Sequence, residues 1–143
     1  MKNKIFFIIG IVFCMSCSHK PATSYEEEAL LHRYLKEYQS NAIKHQDYAL
    51  LTYRTHALCQ GCCNISLYTI LSKELKTKGN TELYVLFDKK DDLDKIKATY
   101  GNTIHYLTGD PDIMDKFGIP RVVPALFYFK DSKLVDWKQI NRY

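Results

Sequence analysis

From Tyr25 onward, apolar residues recur every three to four positions. Leu31, Tyr34, Leu35, Tyr38 and Ala42 share one side of a helix, with Glu26 to Glu28 in its first turn and Ser24 at its N-cap. The spacing predicts a helix ending near Gln46. Asp47 then opens the apolar run Tyr48-Ala49-Leu50-Leu51-Thr52-Tyr53, which reads as a buried strand. A loop from Arg54 to Leu58 leads into Cys59. The helix that follows carries Ile65, Leu67, Tyr68, Leu71 and Leu75 on its inner side, and Lys76 to Lys78 with Gly79-Asn80 close it.

Thr81 to Phe87 reads as the next strand, and Asp88 to Tyr100 as a charged helix whose apolar positions are Leu93, Ile96 and Ala98. Asn102 to Leu107 is a short strand or extended segment, and Asp110 to Phe117 a helical turn after Gly109. The stretch from Gly118 to Pro124 turns into the strand Ala125 to Phe129, and Lys130-Asp131-Ser132-Lys133 makes a hairpin into Leu134 to Trp137. Strands that alternate with helices and end in a hairpin predict an α/β fold, with a central mixed sheet flanked by helices.

The N-terminus has a different character. Lys2 and Lys4 precede a short apolar run from Ile5 to Phe13, and small or polar residues surround Cys17. A membrane-spanning helix needs roughly 20 apolar residues, so residues 1–16 read as a signal peptide that is removed. Ser16 before Cys17 resembles the small residue that precedes the modified cysteine of bacterial lipoproteins, which implies lipidation at Cys17. Residues 17–24 then form a short polar tether and residues 25–143 one domain. Ser18 stands where an aspartate commonly retains lipoproteins at the inner membrane. The expected location is therefore the cell envelope, on the periplasm-facing outer membrane.

Loss of the signal lowers the net charge from +4 to +2, because two basic residues leave and no acidic one does. So small an excess, with no long basic stretch, argues against nucleic acid as a partner. An apolar content of 46% is enough for a packed core.

Of the five cysteines, Cys14 leaves with the signal and Cys17 carries lipid. Cys59, Cys62 and Cys63 remain, clustered as a site rather than scattered as staples. A cysteine at a helix N-terminus meets unpaired N–H groups and the positive end of the helix dipole, so Cys59 is expected to be the nucleophile. Cys62, one turn further on, is close enough to attack a mixed disulfide formed at Cys59. Cys63 reads most simply as a small buried side chain; the other readings are regulatory disulfide exchange and metal binding.

A strand, a Cys-x-x-Cys at the start of a helix, and downstream a Val-Pro that enters a strand hairpin together resemble the thioredoxin-like superfamily, over about Tyr48 to Trp137. The resemblance implies thiol-disulfide exchange with exported proteins and with a redox partner. Its only cofactor is the redox-active pair Cys59–Cys62. It also implies a cis proline facing the disulfide, preceded by a residue that hydrogen-bonds a bound peptide; Pro124 and Val123 hold those places, and Pro120 has no strand directly after it. The chain departs from the family at Leu58, where an aromatic residue is usual, and at Gln60-Gly61, where one is often proline. Tyr53 stands where thioredoxin has its buried acid. Only six residues follow Trp137, so the family's last helix is absent or reduced.

Two further readings stay open. Cys59 and Cys63 also have the C-x₃-C spacing of thioredoxin-like copper-delivery proteins, which with a third ligand, His105 or the nearer His56, would bind Cu(I). The domain could also be a non-catalytic tethered binding module, since fold alone does not establish activity.

Overall fold

The computed structural model describes residues 25–54, 67–77, 79–121 and 123–140. Along the chain these form helix α1 (Glu28–Tyr34), continued by a π-helical turn (Leu35–Gln39), then strand β1 (Tyr48–Tyr53) and helix α2 (Leu67–Thr77). Strand β2 (Glu82–Phe87), helix α3 (Lys90–Tyr100), strand β3 (His105–Thr108) and helix α4 (Pro111–Lys116) follow, and strands β4 (Ala125–Lys130) and β5 (Lys133–Gln139) end the series. One sheet holds all five strands in the order β3-β2-β1-β4-β5. β1 runs parallel to β2, and β2 to β3, while β4 is antiparallel to both β1 and β5. The expected mixed α/β sheet flanked by helices is the architecture observed. Among the described residues no helix follows β5.

Period-two alternation gives the sheet two apolar faces. Leu50, Tyr84, Leu86, Phe127 and Phe129 face Leu31, Tyr34 and Leu35 of the first helical segment and Met114 of α4. Ala49, Leu51, Leu83, Val85 and Leu126 face Leu67, Ile70 and Leu71 of α2 and Ile96 of α3. β1 is buried along nearly its whole length because it lies at the centre of the sheet with helices on both faces.

Several expectations about helices need correction. The first helix does not reach Gln46: it widens into the π-helical turn and ends there. With hydrogen bonds that span five residues where those of the α-helix span four, that turn brings Gln39 rather than Tyr38 to the inner face, leaving Tyr38 exposed and stacked on Tyr34 at 5.5 Å. The buried face of α2 is Leu67, Ile70, Leu71 and Glu74, so Tyr68 points outward and stacks on Tyr100 of α3. Ala98 of α3 is likewise exposed. Ser24 lies outside the described residues, and Glu27 takes the N-cap position of α1 without a side-chain capping bond.

The β4–β5 hairpin turns through Asp131 and Ser132, both with positive φ (49° and 61°), as a two-residue turn of the I′ kind requires. The turn is held from outside: the Asp131 amide donates to Asp47 Oδ1 (2.8 Å) and the Ser132 amide to the Gln46 carbonyl (2.9 Å). Pairing skips one residue of β5, since Tyr128 faces Asp136 while Phe129 faces Leu134. Val135 is the extra, exposed residue of that bulge.

Candidate functional site

At the carboxyl end of β1 the chain passes through Arg54 into the segment that bears the cysteines. Arg54 is fully buried, and four groups surround its guanidinium. Nη1 donates to Asp115 Oδ1 (2.6 Å) and to the Ile119 carbonyl (3.2 Å), Nη2 donates to the Pro111 carbonyl (3.1 Å), and Nε lies 3.8 Å from Asp88 Oδ2. Asp88 follows directly on β2 and its side chain is almost wholly buried. One cation therefore ties the carboxyl ends of β1 and β2 to both ends of α4. The Arg54 charge also acts on Tyr34: burial raises the Tyr34 hydroxyl pKa, while a hydrogen bond from Gln39 and the guanidinium partly offset the rise.

Beside this end of β1 lies the start of β4. Thr52 pairs with Ala125, and the pairing is doubled by side-chain bonds: the Ala125 amide donates to Thr52 Oγ1 and Thr52 Oγ1 donates to the Ala125 carbonyl, both at 3.3 Å. Pro124, immediately before, is buried, and its carbonyl accepts from the Ile140 amide at 2.8 Å; Val123 is half-buried. Register thus fixes Val123 and Pro124 next to the point at which the chain leaves β1. The cis geometry implied for Pro124 is not found. Among the described residues no peptide bond is cis, the Val123–Pro124 bond included. Trans is the lower-energy form even before proline.

Cys17, His56, Cys59, Cys62 and Cys63 lie outside the described residues. His105, the third ligand of the alternative copper set, begins β3 and lies beside Tyr84 near the amino end of β2. That end is separated from Arg54 by the length of β1, about 17 Å. The His105 ring stacks on Tyr84 (4.5 Å between centroids), and its Nε2 lies 3.0 Å from Glu82 Oε2.

A further polar group was missed by sequence reasoning. Glu74 on the inner face of α2 is buried at the edge of a cleft of about 370 Å³, whose walls include Ala49, Leu83, Tyr128 and Lys138. It accepts from Lys138 Nζ (3.1 Å) and from the Tyr128 hydroxyl (3.3 Å). Burial raises the Tyr128 hydroxyl pKa; at Lys138 burial works the other way, but hydrogen bonds with Tyr128 and Glu74 outweigh it and the ammonium is held above its ordinary value. No sequence signal marks Glu74, because its partners come 54 and 64 positions later.

Among the described residues no helix is long and apolar enough to cross a membrane. No family model, no curated protein and no solved structure matches the chain.

Proposed function

We propose that the chain is an envelope thiol-disulfide oxidoreductase of thioredoxin-like fold, with Cys59 as the attacking and Cys62 as the resolving thiol. The observation that carries this reading is the pairing of Thr52 with Ala125. It sets the buried Pro124 beside the end of β1, and Cys59 follows that end after five residues of sequence. The supports for the fold are the central β1 followed by the cysteine motif and α2, the parallel neighbour β2, and the antiparallel hairpin entered through Val123-Pro124.

In the reductive direction the Cys59 thiolate attacks one sulfur of a substrate disulfide. A mixed disulfide forms and the other substrate sulfur leaves as a thiolate. The Cys62 thiolate then attacks Cys59 Sγ, releasing the second substrate thiolate and leaving the Cys59–Cys62 disulfide, so two electrons pass to the substrate. Run in reverse, the same steps oxidise a dithiol. Val123 contributes backbone hydrogen bonds to the bound peptide, and a separate redox partner recharges the pair. Lipid on Cys17 holds the domain at the periplasm-facing outer membrane.

The test is a redox titration of the mature domain in dithiothreitol or glutathione buffers, with the Cys59–Cys62 disulfide followed by mass. A reversible midpoint that vanishes in Cys59→Ser is expected, and its value gives the direction of electron flow. If no disulfide forms and the reduced protein holds one Cu(I), the copper-delivery reading replaces this one; if neither occurs, the domain is a binding module. Detergent-phase partitioning that is lost in Cys17→Ser checks the anchor.

A further inference from the structure

At the amino ends of the parallel strands, three side chains from distant parts of the sequence converge. His45 precedes β1, Glu82 opens β2 and His105 opens β3. Parallel register sets Tyr84 beside His105, and Glu82 lies two residues before Tyr84, so Glu82, Tyr84 and His105 share one face of the sheet. The ligand atoms of His45, Glu82 and His105 all lie within 4.8 Å of one another.

Tyr84 organises both rings. Its own ring is buried and stacks on His105, and its hydroxyl oxygen accepts from the Lys44 amide (3.1 Å) and lies 2.7 Å from His45 Nδ1. When His45 keeps its proton on Nδ1 and donates it to that oxygen, the lone pair of Nε2 is available to a metal. A metal-ligating histidine is usually oriented in this way by its second nitrogen. His105 Nε2 and Glu82 Oε2 are 3.0 Å apart, near the separation of about 3.3 Å between two ligand atoms of a tetrahedral zinc ion. His45, on the exposed segment between the π-helical turn and β1, has to close by about 1.5 Å to complete the set.

We infer that His45, Glu82 and His105 form a binding site for a divalent transition metal of the zinc class, with two imidazoles and one carboxylate as ligands. Without metal, the bond between His105 and Glu82 is an ordinary surface contact that solvent screens. A metal ion takes the place of the proton between His105 Nε2 and Glu82, His105 then carrying its ring proton on Nδ1, and ties the segment before β1 to β2 and to the edge strand β3. Two imidazoles and a carboxylate leave a fourth position for water, and the set is of borderline softness, suited to Zn²⁺ rather than to Cu(I), which favours thiolates. The site stands at the other end of β1 from the entry to the cysteine segment, so it does not depend on the redox reading.

The test is titration of the full chain, with its five cysteines changed to serine so that thiolates do not compete, against Zn²⁺ and a chromogenic chelator. One Zn²⁺ per chain is expected, with affinity falling at least tenfold in Glu82→Gln and in His45→Ala. The Glu82→Gln amide keeps the shape of the site and a partner for His105, which separates loss of ligation from loss of folding. Should the serine chain not fold, Co²⁺ is added to the unaltered chain, where tetrahedral d–d bands that disappear in Glu82→Gln are expected. Absence of stoichiometric binding, or binding unchanged within twofold in both variants, overturns the inference.

Discussion

Arg54 shows how much a single buried cation can organise. Replacing it with Ala removes the cation from beside the buried Asp88 and takes away the hydrogen bonds that hold both ends of α4, so a loss of about 3 to 5 kcal/mol is expected in urea unfolding. Asp88→Asn added to Arg54→Met should recover part of the loss, a coupling that a double-mutant cycle measures. None of this was legible in the sequence, where Arg54 reads as the first residue of a loop, since its partners come 34 to 65 positions later. Buried tyrosines set a second expectation. Burial, helped by the nearby Tyr84, pushes the Tyr48 hydroxyl up to about 12. An unfolded tyrosine ionises near pH 10. The folded state therefore keeps a proton that the unfolded state gives up, and stability is full below about pH 10 and falls as the pH rises towards 12. Thermal melts from pH 8 to 12 should show this loss, reduced in Tyr48→Phe.

At the scale of elements, most of the fold was legible because most segments keep one hydrophobic period. β1 falls where the apolar run predicts it, and the N-cap of α4 is the Asp110 that precedes Pro111, its carboxylate accepting from the amides of Asp112 and Ile113. The first helix was misread because its period changes midway. Gln39, turned inward by the π-helical turn, donates to the Thr108 carbonyl at the end of β3 (2.9 Å) and to the Tyr34 hydroxyl (3.2 Å). Gln39→Leu should therefore cost about 1 to 3 kcal/mol in denaturant unfolding, although it replaces a polar residue at a buried site with an apolar one. The hairpin turn offers the opposite sign. Ser132 bears the strain of a positive φ, so Ser132→Gly should raise stability by roughly 0.5 to 1 kcal/mol, read from the same unfolding curves.

Over the whole molecule, the first helical segment serves as the cover of one sheet face. Tyr25 meets Phe127 edge-on and also contacts Trp137, and Leu31, Tyr34 and Leu35 are buried beneath it. At roughly 1.5 to 3 kcal/mol for each buried side chain, these four contribute as much as the entire net stability of an ordinary domain. A chain beginning at residue 41 should accordingly bind the dye ANS and lose its near-ultraviolet circular dichroism. Of the candidate sites, the cysteine motif was legible because its spacing is local. The His45, Glu82 and His105 group was not, because only strand register brings those residues together. The bulge at Val135 bears on what happens when many copies meet. An unpaired outer strand invites another chain to add along it, but here one residue breaks the rhythm of amides and carbonyls, and Lys133, Asp136 and Lys138 put charge along the same strand. An incoming strand of even spacing finds no continuous ladder to join, so among the described residues the sheet ends at five strands; deleting Val135 would make that edge regular and open it to strand addition, towards fibres.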